Sequence, residues 1–577
     1  MTTENMKRTI YNICVILSGL MMMGALSGCS LEEQVYTQVD KGNYVKNAAQ
    51  AESVLLGVYS KLGVDGVYGM NLSMIFDIPN DQAKAEGTTT VGTRQQASNA
   101  YSTTDAEVQE SWAALYSGIY CANDFLETME ARMAEFPEKD LELANIYVAE
   151  AKVLRAIFYF ELVRWFGHVP LITSTAMSYL HPSKFVQEDP VKVYEYIEKN
   201  ILEAVDALPW VGEDVRTNSA FRISKGTAYG LLAKVYATWA GYPLCDESKW
   251  ENAAAAAATV ITSGQHALIP SYKTLWTNCA NNVWEPKESL LEVSYWSPQS
   301  TNTSSGRVGK WNGVTAQNGS IKGNYNIALY KVNPTFVGEW KDYDKDQRWG
   351  FAYADYKYTN ATGKTCIERL KVNNEATDIT FEMAMNENWL GWTNAWRSKY
   401  SSQLSPRKWD IEEFVKDENQ LPDNNYSNVN WYVLRYADVL LLYAEALNEH
   451  YGNPTSEAYE AINQVRRRGF GVEDVTLPSA EADLPAGLSY EQFQQAVRDE
   501  RSYELCYEGH RRQDLVRWGI YYETVQETYR KLMDWHETGP DYYIGALYTF
   551  KNKNELLPIP QREMDLCEQF DQNDGWK

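Results

Sequence analysis

From Ala228 through Leu231, Leu232, Val235, Tyr236 and Trp239, apolar side chains return every three or four residues. That spacing marks one face of an α-helix, and an apolar stripe of this kind must be covered by a second element. Gly241 and Pro243 stop the run, the first by releasing the backbone and the second by lacking an amide donor. An alanine-rich stretch then resumes helical spacing from about Trp250 to Ile261 and Gly264. The two segments together predict a hairpin of roughly forty residues, the size of one unit in a helical repeat.

The pattern returns elsewhere. Tyr436, Val439, Leu440, Tyr443, Ala444 and Leu447 share one face before Gly452 and Pro454, and Ala458, Ala461, Ile462 and Val465 form a partner that stops at Gly469. Trp112, Leu115, Tyr116 and Ile119 mark an earlier helix, and Leu154, Ile157, Phe158, Leu162 and Trp165 mark another that ends at Gly167 and Pro170. Paired helices of this length resemble tetratricopeptide units in architecture, with only a loose match to that repeat's consensus. Between them, residues 63–105 and 296–330 are rich in Gly, Asn, Ser and Thr, and residues 353–432 mix polar residues with tryptophans. All three read as long loops, which in a compact protein tend to be functional. Ser289 to Tyr295 alternates as a short strand does. No Pro/Ser linker separates independent domains.

At the N-terminus, Lys7 and Arg8 precede an apolar run from Ile10 to Leu26 that closes on Ser27-Gly28-Cys29. A cationic start, an apolar middle and small residues at the cut make a secretory signal. The cysteine behind them resembles the lipobox of a bacterial lipoprotein, with Cys29 as the acylated residue. A membrane-spanning helix would have no reason to end on Ser-Gly-Cys. Loss of residues 1–28 removes Glu4, Lys7 and Arg8, moving the formal charge from -24 to -25. Nucleic acid is excluded as a partner by this balance, since phosphate binding needs clustered positive charge. Beyond Cys14 and Cys29 the cysteines are scattered, with no Cys-x-x-Cys or Cys/His grouping to hold zinc. An exported chain can still contain a disulfide or two, and spacing does not pair them.

Several strings in the mature chain resemble the SusD/RagB family of outer-membrane nutrient-binding lipoproteins. They begin with Trp112, Leu115, Tyr116, Ile119 and Asn123, then Arg155 to Leu171 and Arg222 to Ala228, and continue with Leu434 to Ala446, Glu500 to Leu505, Arg511 to Gly519 and Leu557 to Pro560. They stand in the family's order and span the whole mature chain. The resemblance implies a mostly α fold, with about four tetratricopeptide-like hairpins supporting a loop-rich irregular half with few short strands. It implies residues 1–28 as signal peptide, 29–240 as the N-terminal region with a ligand loop at 63–105, and 241–577 as the C-terminal region, with loops 296–330 and 353–432 and helical hairpins over 433–530. The two regions would form one compact unit. It further implies a surface-exposed lipoprotein of the cell outer membrane that captures oligosaccharides for a SusC-like TonB-dependent transporter. Glu32 and Glu33, just behind Cys29, resemble the acidic surface-export signal of such proteins. The alternative within the same architecture is a lid that binds peptide or another nutrient.

The charged motif residues Arg155, Glu161, Arg164, Glu500, Arg501, Glu504, Arg511 and Asp514 lie at helical spacings, where opposite charges pair along a surface or between helices. Catalysis is not expected: the six histidines are dispersed, no nucleophile, metalloprotease or phosphate-loop motif is present, and 77 acidic residues single out no glycosidase pair. Asp342 to Asp346 begins like a calcium loop but has Gln347 and Tyr353 where glycine and glutamate are required. It reads as a solvated acidic turn, and no cofactor is indicated; a structural calcium is possible without being signalled.

A sugar presents apolar C–H faces and a rim of hydroxyls, so its site needs flat aromatic rings with polar side chains around them. Trp296, Arg307, Trp311 and Asn312 supply both within one polar segment. The family resemblance adds Tyr68, Asp77, Asn80 and Asp81 from the loop after the first helix. Trp389, Trp392 and Trp396 form a third candidate group.

Overall fold

Several of the helices begin behind a side chain that satisfies the free amides of a helix start. In the computed structural model, which describes residues 44–85, 92–217, 219–298, 304–316, 326, 328–361, 364–369, 404–417, 421–422, 425–534 and 543–577, α1 (Ala48–Tyr59) is capped by Asn47. Asp105 accepts from the amides of Glu107 and Val108 at the start of α2 (Ala106–Arg132). α3 (Leu141–Phe166) ends at Gly167, whose φ of 71° takes the chain out of the helix. α4 (Pro190–Leu202) carries proline at its first position behind Asp189. A reciprocal Ser224–Thr227 capping box opens α5 (Lys225–Ala240), and α6 (Lys249–Thr262) follows.

The second group comprises α7 (Tyr272–Ala280), α8 (Tyr436–Tyr451), α9 (Ser456–Gly469), α10 (Tyr490–Glu504), α11 (Arg511–Arg517) and α12 (Tyr521–Asp534). Gly452 ends α8 in the left-handed conformation, as the sequence predicts. Packing runs in a row: α2 on α3, α3 on α4, α4 on α5, α5 on α6, α6 on α8, and α8 on α9 and α10. This is the stacked-hairpin arrangement of a tetratricopeptide-like scaffold, with few short strands beside it. β1 (Ala83–Ala85) pairs with β3 (Tyr330–Val332), β2 (Ser289–Val293) with β6 (Trp431–Arg435), and β4 (Tyr356–Ala361) with β5 (Lys364–Arg369), all antiparallel. Asn47–Lys577 form one compact unit. Among the described residues no helix is long and apolar enough to cross a membrane.

Within the segment read as a long loop at 63–105, residues 66–80 are irregular but interior. The segment folds into two wide turns, Asp65–Gly69 and Asn71–Ile75, and every residue from Gly66 to Asn80 is buried. Its partners come from the other end of the chain. Arg512 Nη1 donates to the Phe76 carbonyl at 2.7 Å, Tyr543 Oη to the Asn80 carbonyl at 2.6 Å, and Gln82 Nε2 to the Ser502 carbonyl at 2.9 Å. Asn99 Nδ2 donates to both Tyr521 and Thr549. A buried backbone without regular ladders must find such partners, and these lie hundreds of residues away.

The charged motif residues are interior as well. Glu504, fully buried, accepts from Arg435, Arg468 and Arg348 at 2.9, 2.7 and 3.2 Å. Arg435 also pairs with Glu288 and Glu508, and Lys408 with Glu508. Arg501 joins Asp438 to Asp514, and Arg517 joins Asp514 to Glu445. Glu161 holds Arg164 at 2.6 Å, and Arg511 reaches out to Asp81. Arg155 departs from the pattern: its guanidinium donates to the amide oxygens of Asn123 and Asn200. The pairing is therefore between elements, and mostly away from the surface. The acidic turn at 342–346 is solvated except at its end, where Asp346 turns inward and binds Arg348 at 2.8 Å.

Candidate functional site

Tyr295, Trp296 and Ser297 continue the line of β2, and in an extended chain neighbouring side chains face opposite ways. Tyr295 and Ser297 point inward, each 1% exposed, so Trp296 is turned out and is 55% exposed. Gly306 makes the inward position possible: a Cβ there would lie 2.8 Å from the Tyr295 ring. The Trp296 amide donates to the Ser304 carbonyl, and Gly306 exchanges backbone hydrogen bonds with Ser427. Asn428 completes the strap, accepting from the Ser297 amide and the Ser305 hydroxyl.

These segments wall a cleft of about 830 Å³ whose lining includes Leu56, Val64, Asp65, Phe221, Tyr295, Ser304, Ser305 and Tyr426. Arg307 stands behind the wall. Its Nη2 donates to Asp65 Oδ2 at 2.7 Å and to the Tyr426 hydroxyl at 2.8 Å, and its guanidinium lies 4.3 Å from the Tyr426 ring centre and 5.2 Å from that of Trp311. It therefore fixes two cleft-facing groups in place. Further down, Arg222 binds Glu150 at 2.7 Å and Glu52 at 2.8 Å, and Glu150 accepts from the Tyr59 hydroxyl. Burial and the Glu150 carboxylate hold the Tyr59 phenol well above its ordinary pKa, so it stays a neutral donor. The cleft offers apolar patches, hydroxyls and one carboxylate held by an arginine. Among the described residues no group of three or more His, Cys, Asp or Glu is placed to hold a metal ion.

The structure brings Trp296, Arg307 and Trp311 to this region and moves other candidates into the interior. Tyr68 is 4% exposed and donates to Glu161 at 2.5 Å. Asp77 accepts from Tyr330 and from the Arg512 amide, and Asn80 Oδ1 accepts from the amides of Gln82 and Ala83. Asn312 turns inward to accept from the Gly309 amide. Asp77, Asn80 and Asn312 hold backbone amides and Tyr68 a side chain of α3, and all four are buried. Asp81 is engaged by Arg511. Trp389, Trp392 and Trp396, like Cys29, lie outside the described residues. The sequence reading missed Asp65 and Tyr426, which carry no local signal: only folding brings them to Arg307.

Glu292, on β2 at the cleft floor, is 3% exposed and accepts from Asn430 and Ser289. Burial pushes its carboxyl up to about 7, against the pull of those two donors. The folded chain then holds a proton that the unfolded chain, near the ordinary pKa of about 4.3, gives up. Stability from this group is therefore lost as pH rises from about 4.3 through 7, by roughly 3–4 kcal/mol. Glu292→Gln should flatten the difference between denaturant midpoints at pH 5 and pH 8; an unchanged pH slope in the variant would contradict this assignment.

The structure is thus a helical-repeat scaffold carrying an irregular half with a polar and aromatic cleft. The chain belongs to the SusD family: the SusD family model matches residues 287–576, and a second, described as starch-binding associating with outer membrane, matches residues 36–237. A SusD homolog from Bacteroides thetaiotaomicron is 48% identical, with a TM-score of 0.86 over 94% of this chain and 99% of that one. A laminarin-binding SusD-like protein shares the fold at 24% identity and a TM-score of 0.61, covering 92% of this chain and all of its own. A SusD-like protein of Formosa agariphila is 24% identical over 95% of this chain and 96% of its own length.

Proposed function

We propose that the chain is a surface glycan-binding lipoprotein, anchored through Cys29, which captures oligosaccharides at the Trp296 cleft and passes them to a SusC-like TonB-dependent transporter. The observation that carries this reading is a cleft lined with hydroxyls and the Arg307-held Asp65 and Tyr426, with the outward Trp296 next in the chain to its lining residues Ser294 and Tyr295. A half-exposed indole next to fixed polar groups matches the two faces of a sugar ring. The family and the laminarin-binding relative support the ligand class. Capture is by stacking and hydrogen bonding, without chemical conversion. Trp311 backs the site through Arg307, and Trp389, Trp392 and Trp396 are proposed as a further aromatic group.

Trp296→Ala should weaken glycan binding by about fivefold or more, corresponding to about 1 kcal/mol for a lost platform. Arg307→Ala should do the same by releasing Asp65 and Tyr426. Calorimetric titration of both variants checks this. Unchanged glycan affinity in both, or affinity for peptides in place of glycans, would sink the reading. The anchor is tested separately: Cys29→Ala should abolish lipid labelling and remove the protein from the reach of protease added to intact cells.

A further inference from the structure

A second cleft, of about 840 Å³, opens where the end of α3, the end of α5, α11 and the C-terminal segment meet. It shares no lining residue with the Trp296 cleft, and its volume falls within the ~300–1,000 Å³ typical of ligand sites. Its wall contains two buried polar atoms that the protein leaves without partners: Gln513 Nε2, on a residue 7% exposed, and Glu555 Oε2. The other oxygen of Glu555 accepts from the Asn552 amide, so the side chain is held in place. A buried donor or acceptor left unmade costs free energy, and native structures rarely tolerate it without an occupant.

Tyr242, 37% exposed, lies on the same wall, followed by Pro243 and Leu244. Glu555 is close enough to Tyr242 to help raise its phenol pKa, after burial. The charges around the opening are largely matched, with Lys577 bound to Asp571 and Asp574, Arg164 to Glu161, and Arg517 to Glu445. Glu555 and Lys553, which also line the cleft, carry opposite charges, so a ligand of net charge gains little from the pair. A hydroxyl is at once donor and acceptor, so vicinal hydroxyls answer both unpartnered atoms, and the apolar face of the same ring suits Tyr242. We infer that this cleft is a second carbohydrate site, which takes a neutral sugar unit through Gln513, Glu555 and Tyr242. The inference rests on the proposed function only for its ligand class.

The test uses the full chain in a sugar-free detergent such as lauryldimethylamine oxide, titrated with maltoheptaose, laminarihexaose, cellohexaose, xylohexaose and mannohexaose. Binding that survives in Trp296→Ala should weaken by about fivefold for each hydrogen bond removed when Gln513→Leu or Glu555→Ala is added. Tyr242→Ser, at a partly exposed position, gives the same reading if the buried substitutions lower the melting temperature. If Trp296→Ala abolishes all binding, or if Gln513→Leu, Glu555→Ala and Tyr242→Ser leave every isotherm unchanged, the second site is overturned and the first stands. If none of the sugars binds the unaltered chain, both readings fall.

Discussion

Glu504→Ala should destabilise the chain by about 3–5 kcal/mol, the cost of leaving buried charge without its partner. Glu504 is fully buried and meets three arginines drawn from different parts of the molecule: Arg348 from the middle region, Arg435 at the end of β6 and Arg468 on α9. Removal takes a shared carboxylate from all three at once and leaves the buried cluster one negative charge short, although Arg435 keeps Glu288 and Glu508, Arg348 keeps Glu500 and Asp346, and Arg468 keeps Glu288. Glu504→Gln keeps the shape but not the charge and should fall nearly as far. Burial alone would raise this carboxyl, yet Arg468, Arg435, Arg348 and Lys408 pull it down to about 2. Its contribution is therefore complete above the unfolded value of about 4.3 and is lost as pH falls toward 2. Asp514, also held at about 2 against burial by Arg501 and Arg517, behaves in the same way. Urea unfolding at pH 6 and pH 3 measures both effects. A Glu504→Ala chain with an unshifted midpoint at pH 6 would show that the network is dispensable.

Trp276→Ala should cost about 3–5 kcal/mol, as other large aromatic truncations in packed cores do. The ring is 1% exposed and meets Trp409 edge-on at 5.0 Å, Tyr432 at 5.8 Å and Tyr272 at 5.7 Å. The Lys408 ammonium stands 4.6 Å from its centre while donating to Glu508 and to the carbonyls of Glu504 and Cys506. One side chain on α7 thus clamps residues 408–409 against β6 and the turn after α10. Hydrogen exchange should localise the damage to 404–414, 431–435 and 504–508; uniform loosening of the whole chain would contradict the clamp. Trp276→Phe retains most of the ring and should cost less.

The helices were legible because their signals are local. Gly241, Gly452 and the three- and four-residue apolar steps lie within the segment they define, and the boundaries of α5, α6, α8 and α9 follow from them. Tyr68, Asp77 and Asn80 were not legible for the opposite reason. A tyrosine, an aspartate and an asparagine in a polar stretch look the same whether they await a ligand or bind Glu161, Arg512 and their own backbone. The difference is set by residues far along the chain, to which periodicity is blind. Trp296 stood out as a candidate because loop tryptophans are conspicuous, whereas Asp65, Tyr426, Gln513 and Glu555 draw attention only through what surrounds them in space. The motif charges were read correctly as structural, but their burial was invisible to spacing alone.

The closure of residues 76–99 by residues 502–554 fixes an order of events in biosynthesis. Phe76, Asn80, Gln82 and Asn99 wait for Arg512, Tyr543, Ser502 and Thr549, which leave the ribosome last. The first hairpins can form early from local contacts, but contacts this distant in sequence are slow and come at the end. A chain made only as far as residue 500 therefore stays open at its irregular half, and locks once residues 502–549 have arrived.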